Sequence, residues 1–383
     1  MTANGSATSG GGDRVGPRRV LHIGTGLTGR EVLRGIIEDP ALELVGVQVS
    51  SPDKVGQDAG SLCGLPDVGV GAVADAEGLL DGVECVAYCA TAVGREDEAI
   101  SDMARFLRAG IDVVTMATIP LVFPAAAPQR WREVLDRAAA DGGSTFYATG
   151  SEPGVASLNL PIALLAGAGR VDSYRMDEYA LGLDHAYPIR EVLHESMGFG
   201  KPDGHVPARI ASGKVSTDWS AVVLGLADAL GVVPDRIDLE WETILAPHDL
   251  DTAIGVITEG TICGHRWLLA GVVDDEPLVG VQYFATLSST PWPESWAAPQ
   301  SFTSGGGMVY RLEGRPSMHL ELRFGRAEGD RSNPGVVVTA MAVVNAIPAV
   351  IEAPPGVITR PLSGSAIASR QVRTARGAPG SAP

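Results

Sequence analysis

The chain has 383 residues, of which 45% are hydrophobic and 20% charged, and its formal net charge is −17. That length predicts one large or two medium domains, and the hydrophobic content is sufficient for a folded core. The negative charge argues against nucleic acid and anionic membrane surfaces as partners. The N-terminal stretch lacks the apolar segment of a secretory signal, and no apolar run reaches the ~20 residues that span a bilayer, so we expect a cytoplasmic protein.

Residues 18–150 alternate between short apolar strands and amphipathic helices. The segments, in chain order, include RVLHIG, TGREVLRGIIED, LELVGVQVS, VECVAYCAT, EDEAISDMARFLRAG, IDVVTMA, PQRWREVLDRAAADGG and STFYATG. Continuous β-branched runs between helices are typical of parallel strands that are buried on both faces. We therefore predict an α/β fold with an N-terminal Rossmann domain, a doubly wound parallel sheet, over 18–150. A flexible tail is expected at 1–17.

In the second part of the chain, strands outnumber helices. Alternating patterns predict strands at 171–182, 235–246, 261–272, 277–288 and 308–324, and helices near 188–197 and 217–230. This composition predicts a C-terminal α+β domain with a mostly antiparallel sheet over 151–332. Residues 333–360 are expected to form a closing helix that packs back on the Rossmann domain. A flexible tail is expected at 361–383.

Three glycines directly after the first strand have the spacing G-x-G-x-x-G, at the start of a predicted helix. In a dinucleotide-binding turn, Gly24 permits the tight turn, Gly26 lets a pyrophosphate approach the backbone, and Gly29 allows close packing of helix and strand. A turn that binds nothing is the alternative. The expected cofactor-binding residues of this loop are Gly24, Thr25, Gly26, Leu27, Thr28 and Gly29.

The end of the second strand bears on the choice between NADP and NAD. An NAD site places a carboxylate there to bind the ribose 2′-hydroxyl. This chain has Ser50 and Ser51, with Lys54 close behind and Asp53 beside it. The missing carboxylate and the added cation favour a 2′-phosphate, so we expect NADP, with NAD and an ordinary polar turn as alternatives.

Further cofactor contacts are expected where other parallel strands end, because ligands of doubly wound sheets lie beyond the carboxyl ends of the strands. Thr91 and Ala92 follow one strand, and Thr118 follows the next. We expect these residues to face the nicotinamide, with plain turn chemistry as the alternative for Thr91. Asn345 in the closing helix is a further candidate for a nicotinamide contact, although a role in capping the core is equally compatible with its position.

Four segments together resemble the dihydrodipicolinate reductase-like superfamily, closest to its branch of native amine dehydrogenases and 2,4-diaminopentanoate dehydrogenases. They are GTGLTGREVLRGIIEDPALELVGVQV, KVGQDAGSLCG, GSEPGVASLNLP and VVNAIPAVIEAPPGVIT. The resemblance implies a homodimer that interconverts amines and ketones with NAD(P)H in a cleft between its domains. One difference concerns the glutamate that tends to follow the strand IDVVTMA in this branch, because this chain has Thr118, Ile119 and Pro120 there.

Candidate catalytic residues come from the region where the two domains should meet. Imine reduction is helped by a carboxylate near the substrate nitrogen, and Glu152 in GSEPG is the first candidate for that role. The strand YRMDEYALGLDHAYP places Asp177 and Tyr179 on one face and Glu178 on the other. We take Tyr179 from that strand and His248 from a loop as further candidates, against the alternative that they belong to a solvated sheet and a solvated loop.

A metal site is not expected, because His185, His194 and His205 do not have the spacing of zinc ligands. The predicted function is an NAD(P)H-dependent oxidoreductase acting on a C–N or C=N bond, either an amine dehydrogenase or an imine reductase. Its partner would be a small amine, ketone or imine. The alternatives are a carbonyl or cyclic-imine reductase of a biosynthetic pathway, and a non-catalytic NADP-binding sensor.

Overall fold

The structure is a computed structural model that describes residues 16–293, 295–296, 299, 302, 306–326, 328–329 and 332–362. Apart from two residues at each inner end, both expected tails, 1–17 and 361–383, lie outside the described residues. The strands are β1 (Arg18–Ile23), β2 (Leu42–Gln48), β3 (Ala72–Val73), β4 (Cys85–Tyr88), β5 (Asp112–Thr115), β6 (Thr145–Ala148), β7 (Arg170–Ala180), β8 (Arg236–Leu245), β9 (Leu250–Thr252), β10 (Gly255–Ile257), β11 (Ile262–Val273), β12 (Glu276–Thr286), β13 (Gly307–Arg315), β14 (Met318–Leu322) and β15 (Gly356–Val357). The helices are α1 (Leu27–Glu38), α2 (Ala59–Cys63), α3 (Glu96–Arg108), α4 (Gln129–Gly142), α5 (Leu160–Leu165), α6 (Leu183–Ala186), α7 (Ala208–Ala211), α8 (Lys214–Ala229) and α9 (Pro334–Ile351).

The first sheet contains seven strands in the order β15-β6-β5-β4-β1-β2-β3, and each pair of neighbours is parallel. The strand order reverses direction beside β1, so the carboxyl ends of β1 and β4 flank a crevice. Helices α3 and α4 cover one face, where Leu107 and Leu135 are fully buried. Helices α1 and α9 cover the other face, where Ile36 and Val344 are fully buried. The predicted doubly wound parallel sheet is confirmed.

Helix α9 is long and apolar enough to cross a membrane by length and composition alone. In this fold it packs instead against α1, β4 and β5. Val343, Val344 and Ile347 have no exposed surface and join the same apolar cluster as Ile36. The second part of α9, from Ala340 onward, therefore belongs to the core of the parallel-sheet half of the molecule, whereas residues 334–339 are half-buried.

The second sheet contains six strands in the order β14-β13-β7-β12-β11-β8. Strands β7 and β12 are parallel, and the other neighbouring pairs are antiparallel. The predicted mostly antiparallel sheet is thus confirmed. Strands β9 and β10 form a separate hairpin.

The two faces of the second sheet differ in what covers them. On β7, Tyr174, Met176 and Glu178 point to the face that α8 covers, which we call the inner face. Val222 and Leu226 of α8 are fully buried in one apolar cluster with Tyr174 and Met176. The outer face carries Arg175, Asp177 and Tyr179. Alternation along β7 therefore decides which side chains lie under α8.

One local prediction was wrong. The single strand predicted at 308–324 is a hairpin of β13 and β14, with Pro316 in the turn between them. Both arms have the same alternation of apolar and polar residues, so the pattern alone does not reveal the turn, although proline is a regular turn signal. The helix predicted near 188–197 is present as a helical segment over 190–196, which is wide-turned at Val192–Ser196. The short helix α6 precedes it, before Pro188.

Candidate active site

The glycine-rich turn has the geometry that a pyrophosphate-binding loop requires. Gly24 has φ +94, and a Cβ there would lie 2.6 Å from the Ala90 amide nitrogen. A Cβ on Gly29 would lie 2.1 Å from the Gly24 carbonyl oxygen. At Gly26, by contrast, no described heavy atom lies within 4 Å of the corresponding position. Gly24 and Gly29 are thus required by close packing within the protein. Gly26 instead leaves open space in front of the turn.

Helix α1 begins directly after this turn, with Gly26 as its N-cap and no capping side chain on it. The amides of the first helical turn have no acceptor within a helix, and the helix dipole makes this end positive. Leu27 is exposed and Thr28 is half-buried, so these amides lie at the accessible end of the helix. The loop and the helix together fit the diphosphate of a dinucleotide.

Lys54 lies beside the same turn. Its Nζ donates to the Thr25 carbonyl oxygen at 3.1 Å and to Thr25 Oγ1 at 3.2 Å. Ser50 is exposed and Ser51 is half-buried at the end of β2. Because Lys54 reaches back from this segment to the loop, a cation lies between the β2 end and the pyrophosphate-binding turn. The three residues that sequence reasoning selected for the ribose are therefore on one side of the predicted cofactor site.

The turns after β4 and β5 border a cavity of about 550 Å³. Ala92 and Thr118 line it from the parallel-sheet half, and Lys214 and Asp218 line it from the first turns of α8. Thr118 is 3% exposed, and its Oγ1 has no hydrogen-bond partner among the residues that the structure covers. Thr91, next to Ala92, is exposed. The cavity therefore lies between the carboxyl edge of the parallel sheet, where we expect the cofactor, and the first turns of α8.

Asn345 is half-buried on α9. This helix contacts β4, β5, β6 and the segment Ser151–Asn159 that follows β6. Asn345 thus lies on a helix that contacts both the parallel sheet and the segment carrying Glu152.

Glu152 follows β6 in an extended conformation, with φ −139 and ψ 97, before the chain turns into a helical segment. Both of its carboxylate oxygens are buried, and neither has a hydrogen-bond partner within the described ranges. Burial raises the pKa of the Glu152 carboxyl well above its ordinary value, and the nearby charge of Glu178 raises it further. A carboxyl group in this environment retains its proton at pH values where an exposed glutamate has lost it.

Glu178 approaches Glu152 from the inner face of the second sheet. In the strand register it lies between Tyr283 on β12 and Met308 on β13. Its Oε2 is buried without a hydrogen-bond partner among the described atoms. Burial raises the pKa of Glu178 to about 7, while the positive charge of Arg209 lowers it in part. The two glutamates form a pair of buried carboxyl groups, hereafter the acid pair.

Comparison with known proteins places this architecture in a family. A family model described as the 2,4-diaminopentanoate dehydrogenase C-terminal domain matches residues 204–363. An amine dehydrogenase from Streptomyces virginiae is 32% identical over 343 residues, which cover 87% of this chain and 92% of the relative. The chain belongs to the amine dehydrogenase family.

The fold agrees with this membership. The structure of an amine dehydrogenase from Mycobacterium smegmatis matches with a TM-score of 0.65 at 21% identity, over 89% of this chain and 94% of that chain. This member of the family is an NAD(P)-dependent oxidoreductase. The predicted family branch and enzyme class are thus confirmed, and the glycine turn and helix α1 described above fit its nicotinamide cofactor.

Two of the three predicted catalytic side chains in this dehydrogenase lie away from the acid pair. Tyr179 points to the outer face of β7, where its ring stacks on Phe284 at 4.7 Å between centroids. His248 is exposed in the loop between β8 and β9. The acid pair lies on the inner face, so the outer-face position of Tyr179 and the exposed loop of His248 separate both residues from it. Their placement follows from strand alternation at Tyr179 and from a surface loop at His248.

Glu178 is the functional candidate that sequence reasoning did not select. Its position on the opposite face from Asp177 and Tyr179 is readable from alternation. Glu178 could have been identified because it shares the apolar face of the strand with Tyr174 and Met176, four and two residues earlier. A charged residue on a buried face requires either a partner or a function.

Substitutions at Gly29 and Gly26 separate packing from cofactor binding. Gly29→Ala places a methyl against the Gly24 carbonyl oxygen, so we expect a loss of roughly 1–3 kcal/mol in the free energy of unfolding. Gly26→Ala meets no described atom, so we expect unchanged stability but at least about tenfold weaker binding of the nicotinamide cofactor. Urea denaturation and fluorescence titration with NADPH measure the two effects. Normal NADPH affinity in Gly26→Ala would show that this turn does not hold the diphosphate.

Proposed function

We propose that this enzyme interconverts an amine and the corresponding ketone with NADP as its cofactor, through the acid pair. In the oxidative direction, a protonated amine, NADP⁺ and water give a ketone, NADPH, an ammonium ion and a proton. The observation that supports this reaction is the burial of two neighbouring carboxyl groups, of which three oxygens have no hydrogen-bond partner among the described atoms. A cationic nitrogen is the ligand that such a pair lacks.

The two glutamates take different roles because their surroundings differ. The charge of Arg209 acts on Glu178 and favours its ionised form, whereas the Glu178 charge opposes ionisation of Glu152. The shared proton of the pair therefore favours Glu152, whereas the carboxyl of Glu178, with a pKa of about 7, is partly ionised near neutral pH. Such a separation of two neighbouring pKa values is typical of an acid and its counter-ion.

In the reductive direction, the protonated Glu152 donates its proton to the departing hydroxyl of the carbinolamine formed from ketone and ammonia. Water leaves, and the remaining iminium ion carries a positive charge that faces the Glu178 carboxylate. The nicotinamide, when bound, supplies the hydride that reduces the iminium carbon. The chain itself binds the cation and excludes water with the aromatic inner face. Glu152 regains a proton from the next ammonium ion, which must lose that proton before its nitrogen attacks the ketone.

The choice of NADP rests on Lys54, Ser50 and Ser51. Lys54 supplies a positive charge beside Thr25, and the serines offer hydroxyl donors to a 2′-phosphate. Gln48 ends β2 with its amide oxygen occupied by the Ala76 amide at 3.2 Å, and no carboxylate takes its place. These features support a phosphorylated ribose over a free 2′-hydroxyl.

The proposed reaction predicts that NADPH oxidation depends on ammonia. Absorbance of the reduced nicotinamide is followed with a panel of ketones, with and without ammonium, and with preformed cyclic imines. We expect oxidation only when ketone and ammonium are present together. Oxidation of NADPH by ketone alone would contradict amine formation and favour a carbonyl reductase.

Replacement of Glu152 tests whether this residue is the proton donor of the reaction. Glu152→Gln retains size and polarity but cannot donate a proton, so we expect kcat to fall ~10²-fold or more with unchanged NADPH affinity. Glu240→Gln is the matched control, because it makes the same carboxyl-to-amide change at an exposed position on β8. Undiminished turnover in Glu152→Gln would remove this residue from the mechanism.

Charge reversal at Lys54 tests the cofactor assignment. Lys54→Glu places a carboxylate next to the ribose, so we expect the Kd for NADPH to rise at least about tenfold more than the Kd for NADH. Arg137→Glu makes the same charge change on the exposed side of α4 and serves as the control. Equal weakening of both cofactors would argue against a 2′-phosphate at this position.

A further inference from the structure

The inner face of the second sheet contains more unpaired polar atoms than the acid pair. Tyr174 Oη, His265 Nε2 and Trp267 Nε1 are buried without a hydrogen-bond partner among the described residues. These three side chains are 2%, 2% and 1% exposed. Buried polar groups in native proteins are nearly always hydrogen-bonded, and leaving one unpaired costs about 1–3 kcal/mol. Several unsatisfied polar atoms on one face indicate that a ligand supplies the missing hydrogen-bond partners.

The rings of His265 and Trp267 belong to a continuous aromatic wall. Tyr174 lies on the same inner face, four residues before Glu178 on β7. Trp219 of α8 lies 5.1 Å from Trp267 between ring centroids, and Trp267 stacks on Tyr283 at 5.5 Å. Tyr283 is the register neighbour of Glu178 and lies 6.1 Å from His265. The wall therefore extends from the acid pair across two strand spacings, roughly 10 Å, to the indole of Trp267.

The unsatisfied polar atoms outside the acid pair are mainly hydrogen-bond donors. The indole N–H of Trp267 only donates, and the phenol of Tyr174 donates readily to oxygen. Burial lowers the pKa of His265 to about 3, so its ring is neutral and adds no charge. A neutral wall of donors is satisfied by an uncharged oxygen acceptor, while the positive nitrogen of a substrate is satisfied by the acid pair.

We infer that the natural substrate is an amine that carries an uncharged oxygen, as a hydroxyl or a carbonyl, which accepts a hydrogen bond from one of the two buried donors of the inner face, the Tyr174 hydroxyl or the Trp267 indole. A plain alkylamine of the same size would leave that donor buried without a partner. This inference rests on the proposed function, since it assumes that the nitrogen lies at the acid pair. It assigns the determination of specificity to one of these two residues.

Matched substrates test the inference. Methyl ketones of increasing length are compared with analogues in which the terminal methyl is replaced by a hydroxyl, beginning with butanone and hydroxyacetone. With ammonium and NADPH, we expect kcat/KM to favour at least one hydroxyketone by about tenfold or more, as for a site built to bind a hydroxyl. Equal or better use of the alkyl ketones throughout the series would overturn the inference.

Variants test whether the preference for hydroxyketones depends on Tyr174 and Trp267. Tyr174→Phe and Trp267→Phe each remove one donor, so we expect the hydroxyketone preference to fall by about fivefold or more in at least one of them. Tyr310→Phe is the matched control, because the Tyr310 hydroxyl is already bonded to Met308 Sδ at 3.2 Å. Thermal unfolding verifies that each variant is folded. A preference that persists in both Tyr174→Phe and Trp267→Phe would contradict the assignment.

A binding measurement separates failure of this inference from failure of the proposed reaction. Isothermal titration in the presence of NADP⁺ compares an amino alcohol with the alkylamine of the same length. Tighter binding of the amino alcohol that is lost in Tyr174→Phe or in Trp267→Phe supports the inference even if no turnover occurs. Turnover of alkyl and hydroxyketones at equal rates, with equal binding, would leave the proposed function intact and reject the inference.

Discussion

The burial of two carboxyl groups against each other is the constraint on which the rest of the site depends. A carboxylate removed from water is costly unless a cation or donor compensates it, and two adjacent ones cannot both ionise. Both oxygens of Glu152 and one of Glu178 lack a hydrogen-bond partner within the described protein, and the charge of Arg209 offsets the burial of Glu178 only in part, so the pKa of each carboxyl lies above the ordinary range for glutamate. In the reaction that we propose, the pair combines a proton donor with a site for positive charge, which is the combination that iminium chemistry requires.

The fold brings this pair together from two separate sheets. Glu152 comes from the end of β6, where the carboxyl ends of the parallel strands also position the glycine turn and Thr118. Glu178 comes from β7 on the inner face of the second sheet, under α8. Neither half of the molecule contains the pair alone. The carboxyl edge of the parallel sheet and the inner face of the second sheet therefore meet at the acid pair, where the chain passes from the first sheet to the second.

Much of the architecture was readable from the sequence because it depends on local patterns. The strand–helix alternation, the glycine turn and the long strands of the second sheet all follow from periodicity and turn chemistry. The hairpin at Pro316 was missed, since alternation continues through both of its arms. Glu152 was identified from its place after the last parallel strand, and its lack of partners became evident only in three dimensions.

The choice between the faces of β7 shows where sequence reasoning ends. Alternation separates Glu178 from Tyr179, but it does not say which face meets the cofactor half. That depends on α8 and on the segment after β6, whose positions are fixed by packing over long sequence distances. Tyr179 instead stacks on Phe284 on the outer face. Catalytic chemistry in this chain therefore had to be assigned from burial and from missing hydrogen bonds.

Infrared spectroscopy of the acid pair tests the central claim most directly. A protonated carboxyl group has a carbonyl stretch distinct from that of a carboxylate, so a difference spectrum between acidic and alkaline samples reports buried glutamic acid. The account predicts a protonated carboxyl at neutral pH that disappears in Glu152→Gln and whose titration shifts in Glu178→Gln. A spectrum in which both variants match the parent, with every carboxyl ionised at neutral pH, would contradict it.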